Sequence, residues 1–213
     1  MIGLMKKNKM NILVEYLSDL IKNDKIELNY EKDYELVIVV MLSAQTTDKR
    51  VNQVSSILFE KYNSLEKLAN AELEDIKTII KPIGTFNKKS ANIILIAKKI
   101  IENGGVKNDR KFLESLPGVG RKTTNIVLNN LFDEAFIAVD THVSRVSWRL
   151  GFSSKTDSPD LVEKKLTKLI PKDQFGKMHH RLVLFGRYYC TARSPKCSSC
   201  GLRDICMYRK SRD

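Results

Sequence analysis

The chain has 213 residues, with 37 Lys and Arg against 25 Asp and Glu, a formal charge of +12 and a pI near 9.5. That length holds one large domain or two small ones. Its longest apolar run, residues 36–42, falls far short of the roughly 20 residues that cross a bilayer, so a membrane-spanning helix is excluded. The cationic surplus suggests a polyanionic partner, nucleic acid first, although a solvated lysine-rich surface gives the same composition.

In chain order the pattern is helical nearly throughout. Ile12, Leu13, Tyr16, Leu17, Leu20 and Ile21 recur at helical spacing, so the first helix is expected to bury one face. Glu15 and Asp19 interrupt that apolar pattern, which is therefore not the h-region of a secretory signal. Residues 34–44 are apolar almost all round, as in a central core helix. Asp48 is expected to cap a helix whose inner face is Val51, Val54, Ile57 and Leu58. Another helix ends near Lys81 and Pro82, and the next runs over 87–102 until Gly104 and Gly105 stop it. Ser158 before Pro159 is a cap-plus-N1 start, with Leu161, Leu166 and Ile170 inside. A last helix covers about 173–189. Two β-prone runs, 37–40 and 136–139, lack the turn chemistry and partner strands of a sheet. The expected fold class is all-α.

Residues 110–131 read helix, tight turn, helix, with Pro117, Gly118, Val119 and Gly120 at the turn. Two glycines flanking one apolar residue allow a sharp turn and leave amides uncovered at the second helix's N-terminus. Those amides and the helix dipole favour a phosphate. An ordinary glycine-containing helix connection is the plainer alternative. Arg121 and Lys122 behind the turn, on a basic chain, favour a helix-hairpin-helix that grips DNA backbone without reading sequence. Gly118, Val119, Gly120, Arg121 and Thr123 are then the contact residues. Lys122, in the first turn of the second helix, is either another phosphate contact or a nucleophilic amine; the positive end of the dipole favours the neutral form that a nucleophile requires. Arg121 cannot share the second role, because guanidinium stays protonated. Asp140, after the apolar run 136–139, is a natural N-cap for a helix over 141–150. It is equally a carboxylate able to take a proton or stabilise a cationic sugar. His142 reads as structural or phosphate-facing, since only His179 and His180 accompany it and no spacing suggests a metal site.

The four cysteines all fall in the last twenty-four residues: Cys190, Cys197, Cys200 and Cys206, spaced by six, two and five residues. Without export, two disulfides are disfavoured. Zinc and an iron–sulfur cluster both remain, and the single C-x-x-C, where a zinc ribbon usually has two, leans toward the cluster.

Taken together, Leu116-Pro-Gly-Val-Gly-Arg-Lys-Thr123, Val139-Asp-Thr-His142 and Cys-x6-Cys-x2-Cys-x5-Cys resemble the endonuclease III family, the iron–sulfur branch of the helix-hairpin-helix DNA glycosylases. Leu42-Ser-Ala-Gln-Thr-Thr-Asp48, Ile83-Gly84 and 179–187 also match, so the likeness runs nearly end to end. It implies a six-helix barrel over 23–134, with the hairpin at about 110–131, and a discontinuous cluster domain of 1–22 and 135–213. It further implies a [4Fe–4S] cluster on Cys190, Cys197, Cys200 and Cys206 in the loop 190–206, with Arg193 and Lys196 gripping phosphates. DNA would lie across the cleft between the domains, with Lys122 opposite Asp140. The implied activity is bifunctional: N-glycosylase on oxidised pyrimidines in double-stranded DNA, and abasic-site lyase through a lysine Schiff base. The damaged base is flipped out, and Gln45 fills the gap it leaves. Thr85 departs from the bulky Leu that the family places after Ile-Gly as a second wedge; Phe86 and Ile83 are the apolar neighbours able to stand in. The protein is expected to act as a monomer in the cytoplasm, on the chromosome and away from membranes. Two rivals are weighed. The related mispair adenine glycosylase lacks the lysine after Gly-Arg and carries a catalytic Glu on the core helix, whereas 37–40 holds no carboxylate. A non-cutting damage sensor would not need both Lys122 and Asp140.

Overall fold

The computed structural model describes residues 2–23 and 25–210, and no strand occurs among them. The all-α expectation holds. The outer ends of the expected division, residue 1 and residues 211–213, lie outside the described residues. Two compact units emerge, Glu27–Phe132 and Met1–Ile26 together with Asp133–Asp213.

The continuous unit is built from α2 (Asp33–Leu42), α3 (Asp48–Lys61), α4 (Leu65–Ala69), α5 (Leu73–Ile80), α6 (Phe86–Glu102), α7 (Arg110–Ser115) and α8 (Arg121–Leu131). At its centre is α2, with every residue after Asp33 buried. Its Val-Ile-Val-Val run is stiff and β-prone. Burial on all sides overrides that preference, since α2 packs against α3, α6 and α8 and each fully buried Leu or Ile contributes about 1.5–3 kcal/mol. Glu35 secures its start by accepting the backbone N–H groups of Glu31 at 2.8 Å and Lys32 at 3.3 Å. At the far end of α6, Gly104 and Gly105 take positive φ and their amides bond back to Ile101 and Ile100 carbonyls, the expected stop.

The discontinuous unit joins α1 (Ile2–Leu20) to α9 (Thr141–Arg149), α10 (Pro159–Thr167), α11 (Phe175–Tyr188) and α12 (Met207–Lys210). A 3-10 turn at Lys172–Gln174 precedes α11. One core links Met10, Leu13 and Leu17 of α1 with Val143, Phe185 and Leu202. Arg181 on α11 also donates to the Ser18 hydroxyl on α1 at 2.6 Å. Ser158 caps α10 as expected, accepting from the Leu161 amide with Pro159 inside the first turn.

Four local expectations are corrected. Thr47, not Asp48, occupies the N-cap position of α3, and Asp48 is its first helical residue. Ile12, Ile57 and Leu161 are 44%, 55% and 40% exposed instead of facing the core. Each directly precedes a buried residue (Leu13, Leu58, Val162), and one helical step rotates a side chain by about 100°, enough to leave the apolar stripe.

Candidate nucleic-acid interface and cysteine loop

The hairpin forms where expected. Asp109 caps α7, accepting from the Lys111 amide at 2.9 Å and the Phe112 amide at 3.1 Å. Leu116 and Val119 are buried beneath the turn, which closes through a Val119 N–H bond to the Leu116 carbonyl. The two glycines are not equivalent. Gly118 has φ +79°, and a Cβ there would lie 2.6 Å from Asn92 Nδ2. Gly120 is extended, with φ −100° and ψ −178°, and a Cβ would meet nothing within 4 Å. The turn therefore requires only the first glycine. What Gly120 contributes is at the N-cap of α8, where it adds neither a capping oxygen nor any side-chain bulk beside the first-turn amides. Gly118→Ala is expected to cost more than about 1 kcal/mol of stability in thermal unfolding, because both the backbone and Asn92 must shift. Gly120→Ala should leave the melting temperature nearly unchanged but weaken binding to any duplex. Arg121 and Lys122 are exposed in the first turn and Thr123 is half-buried.

Two other positions in this unit share a rare backbone. Gln45 has φ +59° and Thr85 has φ +58°, left-handed values that are uncommon for any residue but glycine and a genuine outlier for β-branched Thr. Both are exposed. Phe86 is half-buried at the start of α6, whereas Ile83 is 1% exposed and cannot stand in as a wedge.

In the discontinuous unit, Asp140 is the N-cap of α9: Oδ1 accepts the amides of His142 and Val143, both at 2.8 Å. It is half-buried. His142 is half-buried, and burial pushes its imidazole below the usual range. Its Nδ1 lies 3.1 Å from Arg145 Nη2 and must be the acceptor, because guanidinium only donates.

The four cysteines carry free thiols and line one cavity of about 360 Å³ with Tyr16, Phe185, Tyr189 and Leu202. Arg149, only 4% exposed, braces this loop. Its Nη1 donates to the Cys190 carbonyl and Sγ, each at 3.3 Å, and to the Thr191 carbonyl at 2.7 Å; Nη2 reaches the Ala192 carbonyl at 3.0 Å. Arg145 adds a bond from Nε to the Cys190 carbonyl at 3.1 Å. Beyond that brace Arg193 and Lys196 are exposed, Lys196 Nζ sitting 5.0 Å from the centre of the Tyr189 ring. The two buttressing arginines escaped the sequence reading. Their signal was a pair of cations four residues apart on a helix whose Val143 and Val146 face the core.

Residues 38–172 match the HhH-GPD superfamily of base excision DNA repair proteins, and residues 190–206 match the iron–sulfur binding domain of endonuclease III. Endonuclease III from Bacillus subtilis is 43% identical over 96% of this chain and 94% of its own length. The chain belongs to the endonuclease III family. It is a DNA glycosylase of base excision repair. Endonuclease III from Escherichia coli is 44% identical over 88% of this chain and 89% of its own. Among solved structures, a non-covalent endonuclease III–DNA complex superposes with a TM-score of 0.93 at 43% identity, covering 97% of each chain. A trapped covalent endonuclease III–DNA intermediate gives 0.92 at 43%, covering 97% of this chain and 98% of the other.

The cofactor of the endonuclease III iron–sulfur domain is a [4Fe–4S] cluster, and the cavity fits it. Among the described residues no three His, Cys, Asp or Glu side chains gather closely enough for a single metal ion. Tetrahedral zinc would need its thiolates about 3.8 Å apart, from Zn–S bonds of ~2.3 Å. Thiols spread around a 360 Å³ cavity suit a larger body instead. Burial pushes the Cys190 thiol up despite the Arg149 hydrogen bond, and burial does the same to Cys200. Thiolates there need a partner carrying positive charge, which iron supplies. Purified protein is expected to be yellow-brown, with iron and inorganic sulfide in equal amounts and no stoichiometric zinc. Cys197→Ala should bleach it and weaken DNA binding before chemistry; a colourless zinc protein of full activity would contradict this.

Proposed function

We propose that the protein releases oxidised pyrimidines from double-stranded DNA and then cuts the strand at the resulting abasic site. Lys122 attacks the sugar C1′, the C1′–N bond breaks, and the base leaves. Loss of a proton from the lysine nitrogen and opening of the sugar ring give a Schiff base between enzyme and DNA. The imine acidifies the C2′ hydrogen; removal of that proton expels the 3′ phosphate, so the strand breaks by β-elimination. Asp140 takes the lysine's proton or offsets the positive charge developing on the sugar. Its Oδ1 also holds the His142 and Val143 amides at the start of α9, which fixes where the carboxylate sits.

The observation that carries this reading is Lys122 exposed in the first turn of α8, two residues beyond the uncapped Gly120. A phosphate seated on those amides brings a sugar within reach of the amine. Gly118, Val119, Gly120, Arg121 and Thr123 hold the backbone of one DNA segment. His142, Arg193 and Lys196 are assigned further backbone contacts, and Gln45 the place vacated by the flipped base. The cluster on Cys190, Cys197, Cys200 and Cys206 shapes the loop that presents Arg193 and Lys196. No helix among the described residues is long and apolar enough to cross a membrane. The proposed setting is the cytoplasm, on the chromosome, with the protein as a monomer.

Oxidised pyrimidines have lost aromaticity and stack poorly, which lowers the cost of extrusion. Selectivity should thus appear in base release, while phosphate-dominated binding favours any duplex and falls steeply with salt. Incubation with duplexes carrying thymine glycol, an abasic site, or adenine opposite 8-oxoguanine tests the reading. Release of thymine glycol followed by strand cutting is expected; release of adenine from the mispair would overturn it.

A further inference from the structure

We infer that Lys89 is a positioning residue that locks the segment carrying Gln45 to the helix start carrying Thr85, so that both meet the duplex as one rigid element. The inference rests on the proposed function, which assigns Gln45 the place vacated by the flipped base.

Lys89 lies in the first turn of α6 and is 6% exposed, an unusual place for an ammonium. A buried charge is tolerated only where strong acceptors replace water. Here Nζ donates to the Leu42 carbonyl at 2.9 Å and the Ala44 carbonyl at 2.7 Å. The Leu42 carbonyl ends α2, where the last carbonyls lack helical donors and the dipole favours a cation. That bond alone would make Lys89 a helix cap.

The second bond does something else. The Ala44 carbonyl belongs to the peptide plane that leads into Gln45, so fixing it fixes how the chain enters the left-handed turn. At the same time the Lys89 backbone amide donates to the Thr85 carbonyl at 3.1 Å. One residue therefore grips both left-handed positions, Gln45 through its side chain and Thr85 through its main chain. Such conformations persist only where the surroundings over-determine them, and they cluster at sites that use the strain. Burial also lowers the ammonium's basicity, so the clamp operates against a desolvation cost that a mere surface lysine would avoid.

A cap that only stabilises α2 would lower the melting temperature and spare the chemistry of correctly folded protein. A clamp that presents Gln45 predicts a selective loss at the step that opens the helix. Lys89→Met keeps the apolar stem and removes the donors. Under single turnover with saturating enzyme, the ratio of thymine-glycol release to abasic-site cutting is expected to fall at least tenfold. Gln45→Ala should lower that ratio similarly, and the double variant should lie within twofold of the slower single one. Lys89→Arg, which keeps donors and charge, should recover most of the ratio. If Lys89→Met folds poorly, the same cycle with Lys89→Leu, which likewise has no donor, gives the same reading. Losses that multiply in the double variant, or an unchanged ratio, would overturn the clamp. A wild-type protein that releases no base would instead overturn the proposed function, which keeps the two failures distinct.

Discussion

Lys122→Ala is expected to abolish the borohydride-trapped protein–DNA adduct while largely preserving affinity for damaged duplex. Only an amine condensed at C1′ can be reduced to a stable link, so loss of the adduct reports the nucleophile itself. The competing role for an exposed lysine at a helix N-terminus is a phosphate contact. That role makes a different prediction. Binding would weaken uniformly across sequences, the slope of affinity against salt would fall by about one, and the adduct would persist. Arg121 next to it cannot rescue the reaction, because its guanidinium does not deprotonate. A quantitative salt titration beside the trapping assay separates the two roles in one variant.

Asp140→Asn is expected to slow base release by roughly two orders of magnitude or more, the range for losing a positioned acid–base group. The geometry makes this substitution unusually informative. Oδ1 caps α9 through the His142 and Val143 amides, and Asn caps about as well as Asp. The fold should therefore survive while the charge disappears. Asp140→Ala removes both functions and should add about 1 kcal/mol of lost stability to the same kinetic defect. Near-normal turnover in Asp140→Asn would leave Asp140 as a cap alone.

What was legible in the sequence was what depends on near neighbours. The all-α class followed from helical spacing, the hairpin from Pro117-Gly118-Val119-Gly120, and the caps at Ser158 and Asp140 from residue type and place. The cysteine loop was legible because its thiols lie within seventeen residues of one another. Four kinds of feature were not. The exposure of Ile12, Ile57 and Leu161 depends on a helical phase that tertiary packing sets, one residue away from the pattern. The difference between Gly118 and Gly120 depends on Asn92, which approaches the first and not the second. The bonds of Lys89 to Ala44 and of Arg149 to the Cys190 segment span 45 and about 41 residues, beyond any local signal. The departure at Thr85 was visible as a residue type, but its left-handed backbone was not.

The central claim is that Lys122 is the amine that attacks the sugar. The most direct measurement is to trap wild-type protein on a thymine-glycol duplex with borohydride, digest the adduct and locate the modified residue by mass spectrometry. The nucleotide remnant is expected on Lys122 alone. A remnant on any other lysine or on the N-terminal amine, with Lys122 unmodified, would contradict the account.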